Sequence, residues 1–275
     1  SGILCAFLAA FFIPVFEYLL NIPTDLKLLE SLDLNHPLLK EMVIEAPGTY
    51  HHSLMVGNLA EAAASAIGAN PLLAKVSAYF HDVGKLLKPE YFSENEEYGK
   101  SFHQGLNPSM STLIIMSHVK DGIDLARKYK LPEVIIDILK EHHGTSLVYY
   151  FYKKAEKSAA EGDTVGEENY RYKGPSPRSK ESGIVLLADA VEAASRSLDK
   201  PTPARVENLV REIINDKIQD RQLDACELTF REISTIADTF TRVITAAYHS
   251  RTKYPKDDES GGDAVRPEQG RKEQS

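Results

Sequence analysis

Cysteine and positive charge are both scarce in this chain, and each scarcity removes a class of function. The two cysteines, Cys5 and Cys226, are far apart and form no CxxC pair. That excludes a disulfide framework and a zinc-ribbon signature, and it fits a reducing compartment. Lysine and arginine total 32 against 40 aspartates and glutamates, for a net charge of -8. A protein that coats a nucleic-acid polymer needs a basic face, so no such polymer is expected as a partner. An anionic substrate would have to be held locally, by metal ions and a few cations. No alternating run marks a strand, no segment repeats, and no Gly-rich loop is present to cradle a phosphate.

What is present is helical period almost throughout the 275 residues, enough chain for one large domain or two modest ones with a buried core. The pattern predicts a short helix after Pro23-Thr24-Asp25, with Thr24 or Asp25 as N-cap, and another over Pro37–Val43. Ala46-Pro47-Gly48-Thr49 reads as a turn, and Tyr50–Ile67 as a helix stopped by Gly68. Pro71 opens a helix that carries His81-Asp82 and breaks at Gly84. A polar loop over Lys88–Asn107 leads to a helix over Pro108–Val119, and Pro132 starts one that ends in His142-His143-Gly144. Lys153–Lys180 is charged and rich in Gly, Pro and Ser, which predicts a mobile excursion. An apolar helix over Glu181–Ser197 and amphipathic helices over Pro203–Asp220 and Glu227–His249 follow, then a polar tail over Thr252–Ser275 that is expected to be disordered. The fold class is all-α.

Ile3–Leu20 is apolar except for Glu17 and Tyr18, near the lower limit for spanning a bilayer. It lacks a basic n-region and an A-x-A cleavage site, which argues against a signal peptide. A buried core helix and the end of a membrane helix account for it equally well.

Chemistry is concentrated in one spaced series: His52, His81-Asp82, His118, His142-His143 and Asp189. It takes five of the nine histidines in the chain. Imidazole and carboxylate suit first-row transition metals, and a carboxylate can bridge two ions. The set is larger than one tetrahedral zinc requires, which points to a two-metal site and to phosphoester hydrolysis. Helical stripes choose between neighbours. His52 continues through Val56, Leu59, Ala63 and Ile67, an apolar stripe, whereas His51 continues through Met55, Asn58, Ala62 and Ser65. His52 is therefore the inward residue, as is His142, which follows Ile135, Ile138 and Leu139. Asp189 lies in GIVLLADAVEAA, where an unpaired carboxylate would cost several kcal/mol or become neutral. A metal removes that penalty better than the alternatives, a basic partner or a helix cap. His36 and His249 read as ordinary surface or packing residues.

His81-Asp82-Val83-Gly84-Lys85 resembles the HD superfamily of metal-dependent phosphohydrolases, and the spaced series matches its two-metal branch. Asn35-His36-Pro37-Leu38-Leu39-Lys40, Ala46-Pro47-Gly48-Thr49-Tyr50-His51-His52-Ser53 and His142-His143-Gly144-Thr145 are similar to the cytoplasmic HD domain of seven-transmembrane HD proteins, in particular the PgpH-type cyclic di-AMP phosphodiesterases. The resemblance covers roughly Phe16–Ser250. It implies an HD-domain helical bundle over residues 23–251, preceded at 1–22 by the end of the last membrane helix or a linker helix and followed at 252–275 by the tail. It further implies a place at the cell membrane with this domain on the cytoplasmic side, two divalent ions (Mn²⁺ or Fe²⁺/Fe³⁺), and cleavage of cyclic di-AMP to linear pApA; it allows a homodimer.

Carried over to this chain, the resemblance makes Asp82 the bridging ligand. His52, His81 and Asp189 complete one site, and His118 and His142 the other. His143 is either a further ligand of the second metal or a hydrogen-bond donor to substrate. Lys85 would contact a substrate phosphate, against the plain alternative of a solvated helix-end lysine; His103, Arg178 and Lys180 are weaker substrate candidates. Two cations about 3.5–4 Å apart would activate a bridging hydroxide for in-line attack, with the ribose 3′ oxygen leaving. Nitrogen-rich ligation favours manganese or iron over magnesium. The competing expectations are another nucleotide, such as cyclic di-GMP, whose enzymes carry a Gly-Tyr-Pro signature absent here, and a non-catalytic nucleotide sensor.

Overall fold

A computed structural model describes residues 2–20, 24–96, 102–160, 164–198 and 201–249. The tail at 252–275 lies outside them. Eleven α-helices follow in order: α1 (Gly2–Leu20), α2 (Asp25–Ser31), α3 (Pro37–Glu45), α4 (Pro47–Ile67), α5 (Pro71–Phe80), α6 (Pro108–Lys128), α7 (Glu133–Glu141), α8 (Tyr149–Ser158), α9 (Lys180–Ser195), α10 (Pro203–Gln219) and α11 (Phe230–His249). Among the described residues there is no strand, only one antiparallel bridge between Leu147 and Arg171. The all-α expectation holds.

Local chemistry sets most helix starts. Pro37, Pro47, Pro71, Pro108 and Pro203 open α3, α4, α5, α6 and α10, where a missing N–H costs nothing and the fixed φ suits the helix. Asn70, Asn107 and Ser179 cap α5, α6 and α9 by accepting from Leu73 N (3.0 Å), Met110 N (2.7 Å) and Ser182 N (3.0 Å). Gly68, at φ 72°, ends α4 in the left-handed region that an L side chain resists.

Several features differ from the sequence reading. Pro47 begins α4 directly, so the expected four-residue turn shrinks to Ala46. α5 stops at Phe80; His81 is its C-cap, and Asp82 leads into a 3-10 helix at Val83–Leu87. α6 runs to Lys128 instead of ending at Val119. It continues through Gly122 because that residue is packed against Gly84, and a side chain at Gly84 would collide with the His118 carbonyl and the Gly122 amide. The Lys153–Lys180 excursion contains the end of α8, a 3-10 turn at Glu167–Tyr170 and the buried Tyr170. Arg171 pins it, paired to Asp220 (2.8 Å) and donating to the Thr145 carbonyl (2.8 Å).

Among the described residues, apart from a small cluster around Phe151, Ala155 and Tyr170, two large apolar clusters form most of the core. One joins α4, α9, α10 and α11 through Leu59, Leu186, Val210 and Phe240; the other joins α3, α5, α6 and α7 through Leu39, Phe80, Ala126 and Ile135. Truncating a ring as buried as Phe80 or Phe240 costs about 3–5 kcal/mol. α4, α5 and α9 pack against one another between the two clusters, and the ligand series gathers there. α1 stands apart, with Ile3, Phe7, Phe11 and Leu19 all exposed. Among the described residues no helix is long and apolar enough to cross a membrane.

Candidate metal centre

Histidines in this site are aimed by one recurring device. His81 Nδ1 donates to the Ala78 carbonyl (2.7 Å), His118 Nδ1 to that of Ile115 (2.5 Å) and His142 Nδ1 to that of Leu139 (2.6 Å). A carbonyl can only accept, so each proton sits on Nδ1 and each Nε2 is left facing inward as a ligand atom. In every case the acceptor lies three residues back, one helical turn away. His52 uses a carboxylate in the same role, its Nδ1 donating to Glu192 Oε2. His52, His81, His118 and His142 are all buried, while His51 is exposed, as the stripe argument requires.

Asp82 lies between two groups of these nitrogens. Its Oδ2 is 3.2 Å from His81 Nε2 and 3.5 Å from His52 Nε2; its Oδ1 is 3.3 Å from His118 Nε2 and 3.8 Å from His142 Nε2. Asp189 Oδ1 completes the first group, 3.0 Å from His52 Nε2 and 3.8 Å from His81 Nε2. Two ligand sets result, His52/His81/Asp82/Asp189 and Asp82/His118/His142/His143, each with its donor atoms within 4.8 Å of one another. Asp82 belongs to both. Asp82 Oδ1 and His81 Nε2 are buried without an aligned hydrogen bond, while Asp82 Oδ2 has the Lys85 ammonium beside it; the first two are in a costly state unless a further cation lies among them. The residues therefore fit a pair of divalent ions. The close Gly84–Gly122 crossing matters here, since it brings the Asp82 turn against α6 beside His118.

The electrostatics of the two sets diverge. Burial alone would depress His81, but the close carboxylates of Asp82 and Asp189 carry it up to about 10. His52 also ends above its ordinary value, burial being outweighed by Asp189 and Glu192. Burial lowers His118, and burial with the charges of His81 and His118 takes His142 down to about 3. Asp82 and Asp189 resist the upward push of burial and stay well below the usual carboxylate range, held by the surrounding histidines and, for Asp82, by Lys85.

A cavity of about 600 Å³ opens over the ligands. His143 forms part of its floor, with Nδ1 3.5 Å from Asp189 Oδ2 and its ring stacked on Tyr172 at 4.2 Å. Lys85 also lines it, with Nζ 2.7 Å from Asp82 Oδ2 and 2.6 Å from Glu94 Oε1. With its side chain only 12% exposed, it is a half-buried, doubly paired cation and not a solvated helix-end lysine. His103 reaches the wall, its Nε2 donating to the Tyr91 carbonyl (2.8 Å) beside Phe151. Arg178 and Lys180 do not line the cavity. The Arg178 side chain is 71% exposed near Glu141, and Lys180 pairs with Glu232; each is drawn to a carboxylate outside the site.

Several site residues escaped the sequence reading. Glu192 is three residues after Asp189, on the same helix face, and that spacing could have found it. Glu94 and Tyr172 come from irregular segments that carry no periodic signal.

Comparison with known proteins agrees with this geometry. The family described as HD domain matches residues 49–194. The Cyclic-di-AMP phosphodiesterase PgpH of Bacillus subtilis is 48% identical over 256 residues, which are 93% of this chain and 36% of that protein. Its namesake in Listeria monocytogenes is 46% identical over 245 residues, 89% of this chain and 34% of that one. The chain thus spans about a third of the length of these relatives. The crystal structure of the L. monocytogenes phosphodiesterase PgpH HD domain in complex with cyclic di-AMP is similar at TM-score 0.75 and 47% identity, over 78% of this chain and 99% of that one.

Proposed function

The chain belongs to the HD-domain family, and from that premise we propose that it hydrolyses cyclic di-AMP to linear pApA with two divalent transition-metal ions, manganese or iron. The observation that carries the reading is the pair of ligand sets sharing Asp82. The names of the long PgpH relatives and the cyclic di-AMP complex of the similar HD domain point to the substrate. Two cations held at such a site supply Lewis acidity toward a phosphoryl oxygen and a lowered pKa for water.

The chain's own residues do the rest. Asp82 presents one oxygen to each ligand set. Lys85 holds that carboxylate in place and keeps its positive charge at the cavity floor. His143 faces the cavity between Asp189 and Tyr172, where it can complete the second set or donate to a substrate oxygen. Tyr91, Phe92, Phe151 and Tyr172 give the walls aromatic faces, which suit nucleobases of any identity. Adenine preference is therefore assigned from the relatives and not from a base-reading contact.

We also place the domain at the cytoplasmic side of a membrane, with α1 at the bilayer. Its exposed apolar side chains support this.

Turnover of cyclic di-AMP and cyclic di-GMP, measured side by side with Mn²⁺, tests the function. Formation of pApA, with cyclic di-GMP the poorer substrate, is expected. No hydrolysis of either by manganese-loaded protein would overturn the enzyme reading in favour of a nucleotide sensor.

A further inference from the structure

Three cations line the cavity: Lys85, Lys154 and Arg196. A cyclic dinucleotide carries two phosphodiesters, of which one is cut and the other must be held intact. Two divalent ions against the carboxylates of Asp82 and Asp189 leave two positive charges, which the scissile phosphate and its hydroxide nucleophile use up. Lys85 is engaged by Asp82 and Glu94. A second phosphate therefore needs another cation.

We propose that Arg196 anchors this second, uncleaved phosphate; the assignment rests on the cyclic-dinucleotide reading above. Arg196 follows Asp189 by seven residues on one helix face, so it stands about 10 Å further along the α9 axis. That puts it beyond the phosphate seated on the ligand cluster, yet on the same cavity wall. Its Nε is 3.2 Å from Glu192 Oε2, the oxygen that also accepts from His52 Nδ1. The guanidinium is thereby paired to a carboxylate that His52 already engages. Among the described residues it makes no other ion pair, which leaves its terminal nitrogens for a ligand, with the side chain 40% exposed. A planar fork paired through Nε with its terminal nitrogens open suits bidentate phosphate binding. Lys154 has no such brace and offers only a point charge on a flexible stem.

The test compares manganese-loaded wild type, Arg196→Gln, Arg196→Lys and Lys154→Gln on cyclic di-AMP and on bis(p-nitrophenyl) phosphate, which has a single phosphodiester. Arg196→Gln should raise KM for the cyclic dinucleotide about 10–100-fold, the worth of a charged hydrogen-bonded pair. Its manganese content should match wild type, its kcat should change much less than its KM, and Arg196→Lys should recover part of the loss. The fall in kcat/KM should be at least about tenfold greater for the cyclic dinucleotide than for the simple diester. Equal losses on both substrates, or a loss of bound manganese, would make Arg196 only a strut behind Glu192 and His52 and overturn the proposal. So would a wild-type KM in Arg196→Gln with the loss in Lys154→Gln instead. A wild type that cleaves the simple diester but no cyclic dinucleotide would overturn the parent reading and this assignment with it. Where wild type does cleave the cyclic dinucleotide, the variants judge Arg196 alone.

Discussion

The two ligand sets share Asp82 and little else. The first pairs two histidines with two carboxylates; the second gathers three histidines around the one shared carboxylate. Their imidazoles are displaced in opposite directions, His81 and His52 upward and His118, His142 and His143 downward. In the ion-free protein the first set stores protons where a cation would otherwise sit, whereas the second is already neutral and ready to ligate. A metal entering the first set must displace protons but gains more anionic charge. One entering the second meets no such competition and depends on the shared oxygen. Asymmetry of charge, with symmetry of aim, is what distinguishes the halves.

The largest break in that comparison removes what they share. Asp82→Ala should empty both sets and lower phosphodiesterase activity by at least about 10³-fold, the loss of several kcal/mol of charge stabilisation; metal analysis and turnover check it. Next come variants confined to one half. Asp189→Asn should cost the first set its ion and spare the second, and His118→Ala the reverse, each leaving about one metal per chain by elemental analysis. If either variant emptied both sets, the halves would not be separable. Glu192→Gln is subtler, since it keeps the shape behind His52 and removes the charge. It should weaken metal binding about 10–100-fold, measured as a manganese Kd, with the second set unaffected.

The smallest effect is in the pH dependence of the chelator-treated protein. His81 is raised from 6.5 to about 10, so its contribution to stability is complete below about pH 6.5 and is lost as pH rises through about 10. His142 is lowered to about 3, so its contribution is present above about pH 6.5 and is lost as pH falls toward about 3. Tm should therefore fall on both sides of neutrality, by on the order of 5 °C. Metal loading should abolish the alkaline limb, because a bound metal has already displaced the His81 proton that alkali would otherwise remove. A Tm of the chelated protein that kept rising with pH would contradict the opposed shifts.

How far the sequence could be read follows the same physics. His52 and His142 were legible because helical stripes state which way a side chain points, and Asp189 because a carboxylate in so apolar a helix is costly without a cation. Glu192 was within reach of that logic, one turn beyond Asp189. Lys85 could be placed in the site but not paired, because Glu94 reaches it from an irregular segment. Tyr172 and the excursion around it depend on Arg171 meeting Asp220 across 49 residues, a contact without local signature. Arg178 and Lys180, the weaker candidates that came with the resemblance, lie in segments whose course the sequence does not state, and they sit beside Glu141 and Glu232 outside the cavity lining. The reach of α6 past Val119 depended on two glycines, Gly84 and Gly122, meeting face to face.

Whether two ions joined through Asp82 cleave a cyclic dinucleotide is decided by titrating metal-free protein with Mn²⁺ while following pApA formation from cyclic di-AMP. Activity should appear only as the second equivalent binds. Full activity at one equivalent, or none at two, would contradict the two-ion reading.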